Sequence, residues 1–277
     1  MATPFVKWVG GKRSLMPALL HYRPAAFFEK PQRYYEPFVG GGALFFAIAS
    51  ELVSATLSDT NPDLVTTYQV IQQSPAALIS ALAAHAQQHS PEYYYELRRQ
   101  HDLTEPIAIA ARFIYLNKTC YNGLWRVNSK GEFNVPLGRY RNPGIVQAEV
   151  IWACHGALAT TTLRHQGYQA IQPQAGDWVY CDPPYDGSPP NRLRCYAKHD
   201  FSRADQLALR DFVADLSKQG VYVTLSNADT PFIRALYQDF VVHTVMAPRS
   251  VNSKPSQRQA VSEVLICNYS SVMIGSP

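Results

Sequence analysis

The tetrapeptide Asp182-Pro183-Pro184-Tyr185 follows the apolar run Trp178-Val179-Tyr180-Cys181, placing an acid and an aromatic ring at the end of an expected strand. Two prolines stiffen the turn and keep the strand from continuing, so the acid and the ring are presented together. Such a turn suits an amino nitrogen that is a poor nucleophile because its lone pair is delocalised into a ring. Acceptors on its two N–H groups draw the pair back onto nitrogen. The Asp182 carboxylate can accept one hydrogen bond and the Pro183 carbonyl the other, while Tyr185 stacks on the ring. Attack on a sulfonium methyl group can then proceed in line. The plain alternative is a strand-terminating turn with an incidental aspartate.

A second cluster precedes it in the chain. The run ending at Phe38-Val39 leads into Gly40-Gly41-Gly42, and Asp59 closes the next expected strand, Ala55-Thr56-Leu57-Ser58. No lysine and Ser/Thr follow the glycines at P-loop spacing, and no G-x-G-x-x-G pattern is present, so the turn suits close approach of a ligand without phosphates. Tight packing is the other use of such a turn. Asp59 stands where folds of this kind place an acid on ribose hydroxyls; capping the following helix is its other reading.

These residues need a scaffold that gathers them. Residues 34–39 read as a strand, 43–52 as a helix, 55–58 as a strand and 61–73 as a helix opened by Asn61-Pro62. Further strands are expected at 178–181, 221–225, 241–245 and 261–266, with helices near 147–159, 203–218 and 231–237. Alternating strands and helices predict an α/β fold with a mostly parallel, Rossmann-like sheet and helices on both faces. In such a sheet, ligands bind beyond the carboxyl ends of the strands, so 40–42, Asp59, 182–185 and Ser226-Asn227 should converge. Residues 75–118 are mainly helical, with breaks near Ser90-Pro91 and Glu105-Pro106, and 121–140 read as a β-hairpin. This block is too long for an ordinary crossover. The expected division is a catalytic domain of 1–73 and 145–277 carrying an inserted, mainly helical target-recognition subdomain at 74–144.

Composition narrows the setting. The 277 residues are 47% hydrophobic, enough for a sizeable core, and carry a formal charge of +4. Five cysteines form no C-x-x-C pair, so no metal or disulfide framework is expected and a reducing cytoplasm fits. No run approaches the roughly 18 apolar residues of a membrane span, and the N-terminus lacks the apolar core of a signal peptide. The basic charge is concentrated. Between Arg112 and Asn142 stand Arg112, Lys118, Arg126, Lys130, Arg139 and Arg141 against the single acid Glu132. Interleaved Tyr121, Trp125, Phe133 and Tyr140, with Asn122, Asn128 and Asn134, could stack on bases and bond to base edges or phosphates. A solvated charged hairpin is the alternative.

The chain resembles Dam-type (D12 class) DNA adenine-N6 methyltransferases over nearly its full length. The resemblance rests on residues 5–12 (Phe-Val-Lys-Trp-Val-Gly-Gly-Lys), 36–42 (Glu-Pro-Phe-Val-Gly-Gly-Gly), Asp59-Thr60-Asn61, 121–126 (Tyr-Asn-Gly-Leu-Trp-Arg), 131–136 (Gly-Glu-Phe-Asn-Val-Pro), 182–185 and Leu225-Ser226-Asn227. It implies a catalytic set of Asp182, Pro183, Pro184 and Tyr185, and transfer of the methyl group of S-adenosyl-L-methionine to adenine in GATC of double-stranded DNA. By the same resemblance Trp8, Lys12, Phe38, Gly40, Gly42, Asp59 and Asp182 bind the cofactor. Lys7, Leu124, Arg126 and Pro136 would read bases, Tyr121 would wedge into the stack and Asn122 would stabilise the opened site. Lys118, Asn128, Asn134 and Arg139 would contact phosphates. Two departures stand out: Gly167-Tyr168-Gln169 lies where an acid near the cofactor adenine is usual, and Trp125 replaces a smaller residue. Adenine within a duplex must be flipped out, and the loops 187–200 and 248–259 would close over it. A cytoplasmic monomer of a prokaryote or phage, acting without an obligate protein partner, is expected.

Overall fold

The computed structural model describes all residues except 1, 9, 13–14, 31, 188–200, 248–260 and 271–277. Seven strands form one sheet: β1 (Arg33–Glu36), β2 (Ser54–Asp59), β3 (Thr161–His165), β4 (Trp178–Cys181), β5 (Tyr222–Ala228), β6 (Val241–Ala247) and β7 (Val261–Cys267). Their order is β3-β2-β1-β4-β5-β7-β6. The pairings from β3 to β5 are parallel, and β7 runs antiparallel to both neighbours. This is the α/β architecture expected. The chain order reverses between β1 and β4, which makes the carboxyl ends of those two strands the switch point where such sheets bind ligands.

The central strands are buried on both sides, which is why β4 reads as an unbroken apolar run. Tyr34, Trp178 and Tyr180 enter one apolar core, and their strand neighbours Tyr35, Val179 and Cys181 the other. The second core is closed by α9 (Arg203–Lys218), which turns Leu209, Val213 and Leu216 inward. Its start is fixed by a capping box between Ser202 and Asp205.

On the opposite side lie α3 (Ala43–Ile48), α4 (Pro62–Gln73), α5 (Pro75–Gln87), α6 (Pro91–Arg98), α7 (Pro106–Thr119) and α8 (Ala148–Leu158). Proline occupies the first turn of α4 to α7, and Asn61, Ser90 and Glu105 accept backbone N–H bonds as caps of α4, α6 and α7. The expected breaks therefore fall where the caps are. Residues from α5 to Phe133 join Phe5, Phe46, Tyr68 and Trp178 in one continuous core.

Four features differ from the sequence expectation. Strand β1 ends at Glu36, because Pro37 cannot donate to the ladder. The edge strand β3, Thr-Thr-Leu-Arg-His, buries only its first residue and so has no apolar signature. Two short helices, α1 (Met16–His21) and α2 (Ala25–Glu29), precede β1. The hairpin over 121–140 folds back as expected, but pairs at only two isolated bridges, Cys120 with Leu137 and Val127 with Phe133. The last helix, α10 (Pro231–Leu236), is capped by Thr230.

Arg112 does not belong to the basic surface. It is buried, and its guanidinium donates to the carbonyls of Leu97 (3.0 Å) and Arg98 (2.9 Å) at the end of α6. Arg112→Ala should therefore cost about 2–4 kcal/mol in denaturant unfolding, because one buried and one half-buried acceptor lose their donor. DNA affinity of the folded fraction should stay unchanged; a weakened affinity at normal stability would return Arg112 to the surface set.

Candidate active site

The register of the central strands assembles the site. Cys181 pairs with Leu225, so the next residue of each strand brings Asp182 beside Ser226. Ser226 Oγ donates to Asp182 Oδ1 at 2.7 Å, and Lys12 Nζ lies 2.8 Å from the same oxygen. Lys12 also donates to the Gly10 carbonyl at 2.6 Å and sits 4.8 Å from the centre of the Tyr185 ring. Behind Ser226, the Tyr180 hydroxyl lies 3.1 Å from Oγ. Both residues are buried.

The prolyl turn is braced from three sides. Gln206 Nε2 of α9 donates to the Pro184 carbonyl at 2.8 Å, and Asn227 Nδ2 donates to Gln206 Oε1 at 3.0 Å. Asn227 Oδ1 accepts the Asp186 N–H at 3.1 Å. The Tyr185 hydroxyl donates to Glu263 Oε2 at 2.8 Å, from the strand that pairs with β5. Pro183 is buried and Pro184 exposed.

On the other side of the switch point, Gly40 and Gly42 hold φ of 46° and 65°, the left-handed region that glycine adopts without strain. A Cβ on Gly40 would come within 2.5 Å of Trp8 Nε1, and one on Gly42 within 2.6 Å of the Tyr68 hydroxyl. The tight-packing reading of these glycines is thus also satisfied. Asp59 Oδ2 accepts the Gly40 N–H at 3.1 Å and Oδ1 the Asn61 N–H at 2.9 Å. Burial raises the Asp59 pKa, against the lowering by those N–H groups. Each oxygen retains a further lone pair. Phe38 stacks on Tyr168, with ring centres 5.4 Å apart, so the turn 167–169, which carries no acid, presents an aromatic ring there.

Sequence reasoning gave Glu36 no role. It is 2% exposed, and its Oε2 accepts the Tyr34 hydroxyl at 2.7 Å and the Phe45 N–H at 3.2 Å, tying β1 to α3. Burial pushes its carboxyl up to about 8, with the Asp182 charge adding and the Tyr34 and Phe45 bonds and Lys12 opposing. An interior glutamate at a strand end carries no periodic signal, so only the fold could find it.

The basic segment is sorted by burial. Trp125 and Phe133 face inward: Trp125 packs against Phe113 (centres 3.9 Å apart) and Phe133 (4.6 Å), which removes both from the expected stacking surface. Tyr121, Asn122, Pro136, Arg139 and Tyr140 are exposed, Leu124 and Arg126 partly so. Asn122 takes φ 55°, a conformation asparagine tolerates better than most residues. Arg126 donates from Nε to Asn134 Oδ1 and from Nη2 to the Asn134 carbonyl (3.1 Å). One edge of the guanidinium is thereby held while Nη1 points away. Asn128 Oδ1 accepts the Lys130 and Glu132 N–H groups at 2.9 and 3.0 Å and its Nδ2 donates to Glu132 Oε2 at 2.8 Å, so it shapes the hairpin tip. Lys118 Nζ donates to Gln147 Oε1 at 2.7 Å.

Lys7 joins this surface through an unforeseen residue. The buried Asn117 accepts the Lys7 N–H and donates to the Lys7 carbonyl, both at 2.8 Å, and Lys7 Nζ reaches the Tyr140 hydroxyl at 3.2 Å. The loops expected to close over a nucleotide, 187–200 and 248–259, lie outside the described residues but for Gly187, and so do their basic residues Arg192, Arg194, Lys198, Arg249, Lys254 and Arg258. Among the described residues no group of acids, histidines and cysteines could hold a metal, and no helix is long and apolar enough to cross a membrane.

A family model described as D12 class N6 adenine-specific DNA methyltransferase matches residues 8–251. The chain is 39% identical over 276 residues to the type II methyltransferase M1.LlaDCHI of Lactococcus lactis subsp. cremoris, covering 96% of this chain and 95% of that protein. It is 36% identical to the type II methyltransferase M.MjaIII of Methanocaldococcus jannaschii (96% and 99% covered) and 34% identical to a DNA adenine methylase of Serratia marcescens (94% and 96%). The chain belongs to the D12 class of N6 adenine-specific DNA methyltransferases: it is an enzyme that uses a methyl donor and acts on DNA.

The raised Glu36 pKa fixes the sign of a pH effect. Between the ordinary value of 4.5 and about 8, the folded chain keeps a proton that the unfolded chain has lost, so stability declines as pH rises through that window. Glu36→Gln removes this dependence. Its melting temperature relative to the parent should rise from pH 5 to pH 8, each unit of pKa shift being worth about 1.4 kcal/mol; an offset independent of pH would mean that Glu36 folds already ionised.

Proposed function

We propose that this D12-class enzyme transfers the methyl group of S-adenosyl-L-methionine to N6 of an adenine flipped out of double-stranded DNA, within GATC. The turn from Asp182 to Tyr185 supports this above all, since its acid, carbonyls and ring stand at the switch point braced by Ser226, Gln206 and Glu263. The donor set fits the cofactor. Asp59 would accept the ribose hydroxyls, Phe38 and Tyr168 would face the adenine, Gly40 and Gly42 would allow close approach, and Trp8, Lys12 and Asp182 would meet the methionine end. When bound, S-adenosyl-L-methionine supplies a methyl carbon on a positively charged sulfur, the electrophile that the amino group requires.

The chain's own part is to hold the target amine. Asp182 accepts a hydrogen bond from one N6–H and the Pro183 carbonyl from the other, restoring lone-pair density to nitrogen. Tyr185, fixed by Glu263, stacks on the base and shields the site from water. Flipping costs a few kcal/mol, offset in part by Tyr121 entering the stack with Asn122 beside it.

Residues 74–144 form the target-recognition subdomain in this reading. Lys7, Leu124, Arg126 and Pro136 read base edges, and Lys118 and Arg139 bind phosphates. The clasp on Arg126 leaves Nη1 and the second hydrogen of Nη2 for guanine O6 and N7, a contact worth roughly 1–3 kcal/mol of discrimination. Asn134 and Asn128 hold the segment's shape, which qualifies the phosphate role suggested by resemblance. Both halves of the site come from one chain, so it works as a monomer, in the cytoplasm where its DNA lies.

Asp182→Ala should abolish incorporation of labelled methyl groups while leaving DNA affinity within about threefold, and normal turnover would falsify its role. Plasmid methylated by the parent enzyme should resist a GATC endonuclease blocked by adenine methylation; complete cutting would exclude GATC. Arg126→Ala should lower discrimination at one guanine about 10- to 100-fold, read as kcat/KM on duplexes altered at that position.

A further inference from the structure

The bonds around Asp182 are unevenly shared. Among the described residues, both partners of its carboxylate, Lys12 Nζ and Ser226 Oγ, approach Oδ1. A carboxylate carries acceptors only, so the single Ser226 hydrogen is committed to it. The Tyr180 hydroxyl, 3.1 Å from Oγ, must then donate to Ser226. The result is a directed chain, Tyr180 to Ser226 to Asp182, whose first two members are buried on the strands β4 and β5. Tyr180 is 1% exposed and its hydroxyl titrates well above its ordinary range through burial, so it remains a donor at every physiological pH.

Two donors on one oxygen restrain the plane of the carboxylate and leave Oδ2 as the oxygen with no partner among the described residues. We propose that Ser226, oriented by Tyr180, is a positioning residue for methyl transfer: it pins Oδ1 so that Oδ2 receives the N6–H of the target adenine. Lys12 cannot perform this alone. Its long side chain also bonds to Gly10 and faces Tyr185, and it stands where the carboxylate of the methyl donor would compete for it. Ser226 sits on a central strand with its backbone held in register against Leu265, so its hydroxyl keeps one direction while the cofactor comes and goes. This role rests on the reading of Asp182 as the acceptor for N6.

Ser226→Ala, Ser226→Thr, Asp182→Asn and the double variant Tyr180→Phe/Ser226→Ala separate the possibilities. The double variant removes both hydroxyls together and leaves no buried orphan, so it retains the fold even where Ser226→Ala does not. With labelled S-adenosyl-L-methionine and a GATC duplex, Ser226→Ala and the double variant should lose about 10- to 100-fold in kcat, with both KM values within about twofold. Ser226→Thr, which keeps the hydroxyl, should recover most of the rate. A folded double variant with parental kcat, or a loss confined to KM, overturns the positioning role if Asp182→Asn is inactive. Full activity of Asp182→Asn would instead overturn the reading of Asp182 on which it rests.

Discussion

Everything at the switch point turns on one ion pair between a lysine that precedes the whole sheet and an aspartate at the end of its fourth strand. Lys12 and Asp182 are 7% and 21% exposed and 2.8 Å apart. Removing two such charges from water costs several kcal/mol, and their attraction does no more than offset it. The pair is therefore poor evidence of a device for stability. What it secures is arrangement: the N-terminal segment is drawn over the glycine turn, bringing Trp8 against Gly40. A neutral pair would leave that segment held by packing and by the two bonds between Asn117 and the Lys7 backbone.

Strand register carries this arrangement outward. Because β4, β5 and β7 are neighbours, Asp182 meets Ser226, and the two residues beyond Leu265 in space bring Glu263 to Tyr185. A slip of one residue would turn every one of these side chains to the opposite face. Both faces of β4 are apolar, so size opposes that slip: the Tyr180 ring would have to fit where Val179 and Cys181 pack. Core packing and site geometry are thus fixed by the same alternation.

That alternation also explains what could be read from the sequence. The strands β4 and β5 announce themselves as largely apolar runs ended by polar residues, β2 only as the alternation of Ala55 and Leu57 before Asp59, and Asn61-Pro62, Ser90-Pro91 and Glu105-Pro106 mark helix starts by capping chemistry. Asp182, the glycine turn and Asp59 were legible because strand ends are where such sheets work. Glu36, Asn117 and Glu263 were not, since each acts on a partner distant in sequence or hidden from solvent. Nor could spacing say that Trp125 turns inward while Arg126 turns out, or that Arg112 lies beneath the surface whose charge it seemed to share. The edge strand β3, polar and shallow, had no pattern to offer.

The rings of Trp8, Phe113, Trp125 and Phe133 form a row, with centres 6.3, 3.9 and 4.6 Å apart in turn, leading from the glycine turn to beneath the hairpin. Residues 121–141 are therefore not a detachable cassette. A chimera that imports another 121–141 segment inherits its surface residues freely, but it must also import rings that mesh with Phe113. Only the outward half of the hairpin, where Tyr121, Asn122, Pro136 and Arg139 stand exposed, can change without disturbing the helix beneath it.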